Sequence, residues 1–276
     1  MIQVEGIFTG GSVTSAPIMG TDFTWTGGDN TCMVLDDGDG NWRIKFLSSG
    51  IFTPLKNMVI DGFLVGGGGP GEGGTQPASS YRGGGGGGGG YTTTVRSIVL
   101  SANTAWSIVV GEGGAVNTVS GGDTTAFGAT ASGGKAPTAT VDWRYGGNGG
   151  SGGGMGNGSG KGSAGGSDGS DGAGNASYAG KGQGTTTREF GETDGDLYAG
   201  GGGGGKGSEY ASGANTTYAG GAGGGGASAS SALDATPGED GKGGGGGGGC
   251  TYAKNSKEGA PGGSGIAIIR NHREEV

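Results

Sequence analysis

Residues 83–100, GGGGGGGGYTTTVRSIVL, join an unbroken run of glycines to a segment rich in β-branched residues. Ordering a glycine costs about 1 to 2 kcal/mol of backbone entropy, and glycine has no side chain whose burial could offset that loss. A single glycine helix is therefore not expected to form. Without Cβ atoms, however, extended chains with three residues per turn can approach until N–H groups bond to carbonyls of neighbouring chains. The run predicts a bundle of polyglycine II helices.

Comparable tracts recur along the chain, at Gly66–Gly69, Gly200–Gly205, Gly223–Gly226 and Gly243–Gly249. At a rise of about 3.1 Å per residue the three longest tracts would span roughly 19 to 25 Å, so they could stack side by side. Flexible linkers are the alternative, because glycine-rich and serine-rich segments usually behave that way. Serine is largely absent from the longest tracts, and the tracts join strand-like segments or end at an aromatic residue or a lysine. We expect interior positions such as Gly86, Gly203 and Gly246 to be structural.

The composition excludes several classes of protein. Glycine accounts for 81 of 276 residues, but it does not recur at every third position and only 7 residues are proline, which excludes collagen. The net charge of −8 leaves no basic stripe for nucleic acid. No apolar stretch approaches the roughly 20 residues that span a bilayer, and the start lacks the features of a signal peptide. We therefore expect no nucleic acid partner, no membrane insertion and no signal peptide.

Short segments of branched and aromatic residues between turn signals predict β-strands, and no segment shows helical spacing over more than a turn. The sequence thus predicts an all-β fold with essentially no α-helix. The closing apolar segment GGSGIAIIR is expected to return to the sheet that contains Met58–Val65. The predicted strands are Ile2–Phe8, Asp22–Thr26, Thr31–Leu35, Trp42–Leu47, Ile51–Thr53 and Met58–Val65, followed by segments within YTTTVRSIVL, TAWSIVV and GIAIIR.

The predicted organisation is a single glycine-rich domain at 21–270. Its strands fall mainly in 21–145 and 266–270, and its glycine bundle falls mainly in 66–90 and 146–265. An N-terminal segment, 1–20, could supply an attachment strand, and 271–276 form a charged tail.

The usual catalytic and metal-binding patterns are missing. Cys32 and Cys250 are too far apart in sequence for a metal-binding pair; they are expected to be reduced packing residues, with a disulfide between them as the alternative. His272 is the sole histidine available to a triad. The acidic segment DDGDGN fits a hairpin turn better than a calcium loop. We predict no catalytic residues, no metal and no cofactor.

Several segments together resemble the glycine-rich domain of tail proteins from bacteriophages and prophages of gut-type Firmicutes. They include WRIKFLSSGIFT, MVIDGFLVGGGG, GQGTTTREFGE and GGSGIAIIR, and the resemblance covers about residues 20–270. The architecture is similar to the glycine-rich region of anaplastic lymphoma kinase family receptors and to polyglycine adhesin tips of phages. The resemblance implies a jelly-roll-like β-sandwich that carries polyglycine helices. It also implies a virion tail protein, made in the host cytoplasm and released without a signal peptide.

From this resemblance we predict a structural or receptor-binding tail protein that binds a bacterial surface glycan or protein, contacts other tail proteins, performs no chemistry and could form a homo-oligomer. Polar inserts at the tract ends would supply the binding surface, because aromatic residues on rigidly held loops suit recognition. Alternatively, each tyrosine packs across the end of the bundle. The candidate receptor-binding residues are Tyr81, Arg82, Trp143, Tyr145, Tyr210, Tyr218 and Tyr252.

Two other functions stay open. Regular glycine bundles can present flat faces, which suits ice binding or a structural extracellular matrix. An enzyme that hydrolyses glycans could use paired carboxylates such as Glu189, Glu192 and Asp194.

Overall fold

The computed structural model describes residues 15–76, 81–138, 144–157 and 161–273. The predicted strand Ile2–Phe8, the candidate Trp143 and tail residues 274–276 lie outside the described residues. The strands are β1 (Phe23–Trp25), β2 (Cys32–Gly38), β3 (Asn41–Phe46), β4 (Gly50–Pro54), β5 (Met58–Val65), β6 (Thr92–Leu100), β7 (Trp106–Ile108), β8 (Thr124–Ala126), β9 (Ala129–Ala131), β10 (Gly207–Ser208), β11 (Thr251–Tyr252), β12 (Asn255–Ser256) and β13 (Ile266–Asn271).

Two sheets enclose one hydrophobic core. A five-stranded sheet has the order β2-β3-β13-β5-β6, and a three-stranded sheet has the order β1-β4-β7. Phe23 and Phe52 from the smaller sheet pack with Trp42, Phe46 and Ile60 from the larger one. Strand β3 buries every second residue, as the two-residue period of a strand requires. The fold is therefore all-β and sandwich-like, as predicted. Within the described ranges, the helical segments are the short 3-10 turns Glu189–Gly191 and Ala211–Ala214.

The predicted return of the closing strand is confirmed. Strand β13 lies between β5 and β3 and is antiparallel to both, with Ile266 opposite Val65 and Asn271 opposite Ile60. Its alanine and three isoleucines are buried on both faces. One face contacts the sandwich core, and the other packs with Phe63, Phe190 and Tyr198.

The long glycine tract Gly83–Gly90 runs through the interior of a hydrogen-bonded bundle. Gly84, Gly87 and Gly90 donate their N–H groups to carbonyls in the antiparallel tract Gly243–Gly249, at 2.8 to 2.9 Å. Gly83, Gly86 and Gly89 donate to carbonyls of residues 151–157, again at every third position, and Gly88 donates to the Lys135 carbonyl. A repeat of three residues is that of a helix with three residues per turn. The predicted polyglycine bundle is present.

The second long tract, Gly243–Gly249, is surrounded in the same way. It donates to residues 69–72 and 200–203, and it accepts hydrogen bonds from residues 84–90, 226–229 and 260–263. A Cβ added at Gly246 would lie well within 3.0 Å of the Ala260 carbonyl, and the same holds for Gly86 and Gly203 against their neighbours. Close approach of backbone to backbone thus requires glycine at these positions.

Two features differ from the sequence-based organisation, and a third decides between two alternatives. Gly67 donates to Gly122 and accepts from Gly134 within the bundle, although Gly122 and Gly134 fall in the range 21–145 that we assign mainly to strands. Paired glycines are too short a signal to be distinguished from turns. Residues 271–273 of the predicted charged tail pack against the larger sheet through ion pairs. Both cysteines are free, so the alternative of a disulfide is wrong.

Thr124 joins the sandwich to the bundle. Its buried hydroxyl donates to the Val65 carbonyl at 2.6 Å and accepts from the Gly111 N–H at 2.9 Å. Val65 ends β5 and is followed directly by the tract Gly66–Gly69. One side chain therefore satisfies backbone groups on both sides of the junction.

Candidate functional site

The bundle has two ends that differ in what they carry. Gly90 and Gly243 pair at the end beside the sandwich, and Gly84 pairs with Gly249 at the opposite end, about 19 Å away at the rise of such a helix. We call the opposite end, at Gly83, Gly205 and Gly249, the distal end. The described parts of several inserts emerge there.

Four of the candidate residues lie on distal segments that are bonded to one another. Strand β10 pairs in parallel with β11, which places Ser208 opposite Tyr252. The Thr251 hydroxyl donates to the Arg82 carbonyl at 3.0 Å, so Tyr81 and Arg82 border the same strands. Tyr210 immediately precedes the turn Ala211–Ala214 and is 65 % exposed.

The neighbouring loop that contains residues 231–234 contacts these distal segments. The Ser231 N–H donates to the Ala214 carbonyl at 2.8 Å. The Lys257 ammonium lies 2.9 Å from Asp234, and this hydrogen bond raises the pKa of Lys257. Leu233, between these contacts, is 60 % exposed. The distal surface therefore combines an exposed tyrosine and an exposed leucine on loops with short cross-connections.

The other candidates are located elsewhere. Tyr145 lies on the flank of the bundle, where its ring meets that of Tyr178 edge-on at 5.3 Å. Tyr218 is half-buried, and burial raises the pKa of its hydroxyl. For Tyr218, packing against the bundle describes the side chain better than display at a loop tip.

An ion pair that the sequence does not predict lies at the base of the distal end. The guanidinium of Arg144 bonds to the carboxylate of Glu72 and to the hydroxyl of Thr75. Glu72 is half-buried, and burial raises its pKa although Arg144 partly offsets that effect. The pair connects two segments of the bundle near the inserts. Arg144 and Glu72 lie far apart in sequence, and no local pattern marks them.

The carboxylates considered for glycan hydrolysis line a charged cleft of about 340 Å³ beside the larger sheet. Glu189 is buried, lies 2.6 Å from Arg43 Nη1 and accepts a hydrogen bond from the Tyr198 hydroxyl at 2.9 Å. Glu192 lies 2.5 Å from Arg270 Nη1. Two of the three carboxylates are therefore engaged by guanidinium groups of the larger sheet. These ion pairs attach the loop 187–199 to the larger sheet, which is the role that the cleft residues fit better.

Ser97, His272 and Asp61 lie together, although the sequence pattern gave no sign of it. His272 Nδ1 is 2.7 Å from Asp61, and Ser97 Oγ is 3.2 Å from Nε2 and 3.5 Å from Nδ1. An oxygen on the Nε2 lone-pair axis would be much farther from Nδ1 than from Nε2. The nearly equal distances place the hydroxyl over the ring face, where it cannot pass its proton to Nε2 as a nucleophile must. This group does not have the geometry of a triad.

Over residues 15–76, 81–138, 144–157 and 161–273, no group of three or more His, Cys, Asp or Glu side chains is arranged to hold a metal ion. In the same part of the chain, no helix has the length and apolar character needed to cross a bilayer.

One protein family matches most of the chain. A profile described as a glycine-rich domain matches residues 47–272, which include most of the sandwich and all of the bundle tracts. The chain therefore belongs to this family of glycine-rich domains. No curated protein matches the chain.

Proposed function

We propose that this protein is a bacteriophage tail protein that presents loops from a polyglycine scaffold to a receptor on the bacterial surface, without chemistry. The observation that carries the proposal is the linked set of loops at the distal end, with Tyr210 and Leu233 exposed beside Tyr81, Arg82 and Tyr252. The tail context, the virion location and contacts with other tail proteins rest on the sequence resemblance alone.

The scaffold suits recognition for an energetic reason. Loops that are already ordered lose little conformational entropy on binding, so more of the contact energy appears as affinity. Hydrogen bonds between Ser231 and Ala214 and between Thr251 and Arg82 restrict the distal loops before any receptor arrives. Aromatic residues at the centre of such a surface commonly dominate binding energy.

The test measures binding of the labelled protein to cells of Firmicutes strains with differing surface polysaccharides. Tyr210→Ala combined with Leu233→Ala should weaken binding at least about tenfold, the loss of one or two hot-spot side chains. Val99→Ala is the matched control, because Val99 is 63 % exposed on β6 in the sandwich. Equal binding by the distal and control variants would contradict recognition at the distal end.

If the unaltered protein binds none of these strains, the receptor-binding role is wrong and a purely structural role remains. Thermal hysteresis of the purified protein is measured in parallel. A freezing point that lies below the melting point, together with faceted ice crystals, would instead support the ice-binding alternative.

A further inference from the structure

We propose that a groove on the flank of the bundle binds an anionic oligosaccharide. The groove has a volume of about 410 Å³ and lies between the segments 135–138 and 177–181, with Tyr145 and Asn148 between them. It is separate from the distal end, and the proposal does not depend on a phage role.

The lining combines the groups that recognise sugars. Tyr145 and Ala136 supply apolar surface, while the hydroxyls of Thr138 and Ser177 and the amide of Asn148 supply hydrogen-bonding groups. Aromatic rings are amphipathic platforms that pack against the apolar faces of ligands, and a few placed polar groups fix the orientation. The edge-on contact between Tyr145 and Tyr178, at 5.3 Å, restrains the Tyr145 ring.

Charge selects an anionic sugar. Lys135 and Lys181 both line the groove, and no Asp or Glu is among the described lining residues. Lys181 is paired with Asp171 at 2.7 Å, whereas no carboxylate of the described chain lies within ion-pair distance of Lys135. On a chain with a net charge of −8, a groove lined by Lys135, which has no carboxylate partner in the described chain, and by no described acid is a local site for a carboxylate or phosphate.

One residue holds both lysines in position. The backbone carbonyl of Asn148 accepts the Lys135 N–H at 2.8 Å, and its side-chain oxygen accepts the Lys181 N–H, also at 2.8 Å. The Lys135 carbonyl in turn accepts the N–H of Gly88, in the interior of the bundle. The backbone segments that carry the two lysines are thus attached to the rigid scaffold, which restricts where their side chains can reach.

The test is calorimetric titration of the purified full chain with three probes: oligogalacturonate, poly(glycerol phosphate) and neutral maltoheptaose. We expect binding of an anionic probe that weakens at higher salt, and no detectable binding of maltoheptaose. The oligogalacturonate and phosphate arms distinguish carboxylate from phosphate recognition. Lys135→Gln should weaken the affinity about tenfold. Tyr145→Ala should abolish binding while the unfolding midpoint falls by no more than about 6 °C, the expected loss of one ring pair.

Lys161→Gln serves as the charge-matched control, because Lys161 is exposed and does not line the groove. If Lys161→Gln and Lys135→Gln lose affinity equally, the affinity depends only on the net charge of the protein, and the proposal is overturned. Equal binding of neutral and anionic sugars would overturn it too, and so would the absence of binding to either anionic probe. These titrations use no cells, so failure of the receptor proposal and failure of the groove are separate results.

Discussion

Gly87 donates its N–H group to the carbonyl of Gly246 at 2.9 Å, although the two glycines belong to tracts that lie far apart in the sequence. Gly246 donates in turn to Gly69, and Gly87 accepts from Gly202. Four distant parts of the chain are therefore connected through single backbone groups. No side chain takes part, so the fold here depends on the absence of a Cβ atom.

A methyl group in the bundle interior should be strongly destabilising. Gly86→Ala and Gly246→Ala would place a Cβ within 3.0 Å of neighbouring carbonyls, so backbones must separate. Each buried backbone group that loses its partner costs about 1 to 3 kcal/mol, and a loss of about 3 kcal/mol lowers the melting midpoint of a domain of this size by roughly 6 to 12 °C. Thermal melts measure the effect.

Gly73→Ala is the control for these variants. Gly73 belongs to the same kind of tract, but a Cβ there would first meet only the end of the flexible Glu258 side chain, at 3.0 Å. Its midpoint should stay within about 2 °C of the unaltered protein, since alanine also lowers the entropy of the unfolded chain. Equal behaviour of all three variants would count against a close-packed bundle.

The junction between sandwich and bundle should depend on the Thr124 hydroxyl. Thr124→Val keeps the shape of the side chain but leaves the buried Gly111 N–H without its acceptor. We expect a loss of about 1 to 3 kcal/mol in the free energy of unfolding, measured by urea titration. Thr130→Val, at an exposed position of β9, should be nearly neutral. A neutral Thr124→Val would show that the hydroxyl does not couple the two parts.

Acid should weaken the charge cluster around Asp61. Burial opposes ionisation of this carboxyl, but hydrogen bonds from His272, the Ser97 N–H and Arg270 outweigh that effect and hold its pKa below 3.8. A lowered folded-state pKa means that the ionised group contributes stability above pH 3.8 and loses it as the pH falls through the folded pKa. Asp61→Asn should therefore be destabilising by about 3 kcal/mol at neutral pH, since it leaves the buried Arg270 with one partner fewer.

The effect of Asp61→Asn on the free energy of unfolding should depend on pH. The difference in unfolding free energy between Asp61→Asn and the unaltered protein should shrink as the pH falls from 5 towards 2. Asp171→Asn is the control, because its pair with Lys181 is exposed and solvent-screened, worth about 0 to 1 kcal/mol. A difference for Asp61→Asn that grows on acidification would contradict the assigned role.

The two thiols should be reduced and slow to react in the folded protein. Burial raises the pKa of Cys32 to about 11 and also raises the pKa of the fully buried Cys250. Since the thiolate is the reactive form, alkylation at pH 8 should be slow until denaturant is added. Mass spectrometry should then find both cysteines modified without prior reduction. A requirement for reductant would contradict the free thiols.

The sequence predicts the regular parts of this protein well, for identifiable physical reasons. Strand β3 alternates in burial and β13 is a continuous apolar run, so both patterns indicate burial directly. An unbroken run such as Gly83–Gly90 can pack only through its backbone. The partner of each tract is not encoded locally, because every glycine is chemically alike. Pairing follows from the register of the whole bundle.

The candidate surface is predicted less completely. Tyr210 and Tyr252 reach the distal end because they lie a few residues after the glycine tracts Gly200–Gly205 and Gly243–Gly249, which the sequence shows. The positions of Ser97, Asp61 and His272 depend on the pairing of β5 with β6 and β13, which is a property of the folded sheet. Phe190 is buried with a positive φ of 54°, which no side-chain pattern predicts.

Amide hydrogen exchange of isotopically labelled protein, followed by NMR, tests the bundle most directly. If Gly84, Gly87 and Gly90 donate to the Gly243–Gly249 tract as described, their amides open only with much of the domain and should exchange at least about a thousandfold more slowly than an unstructured peptide. Exchange of these glycines at the rate of an unstructured chain would contradict the account.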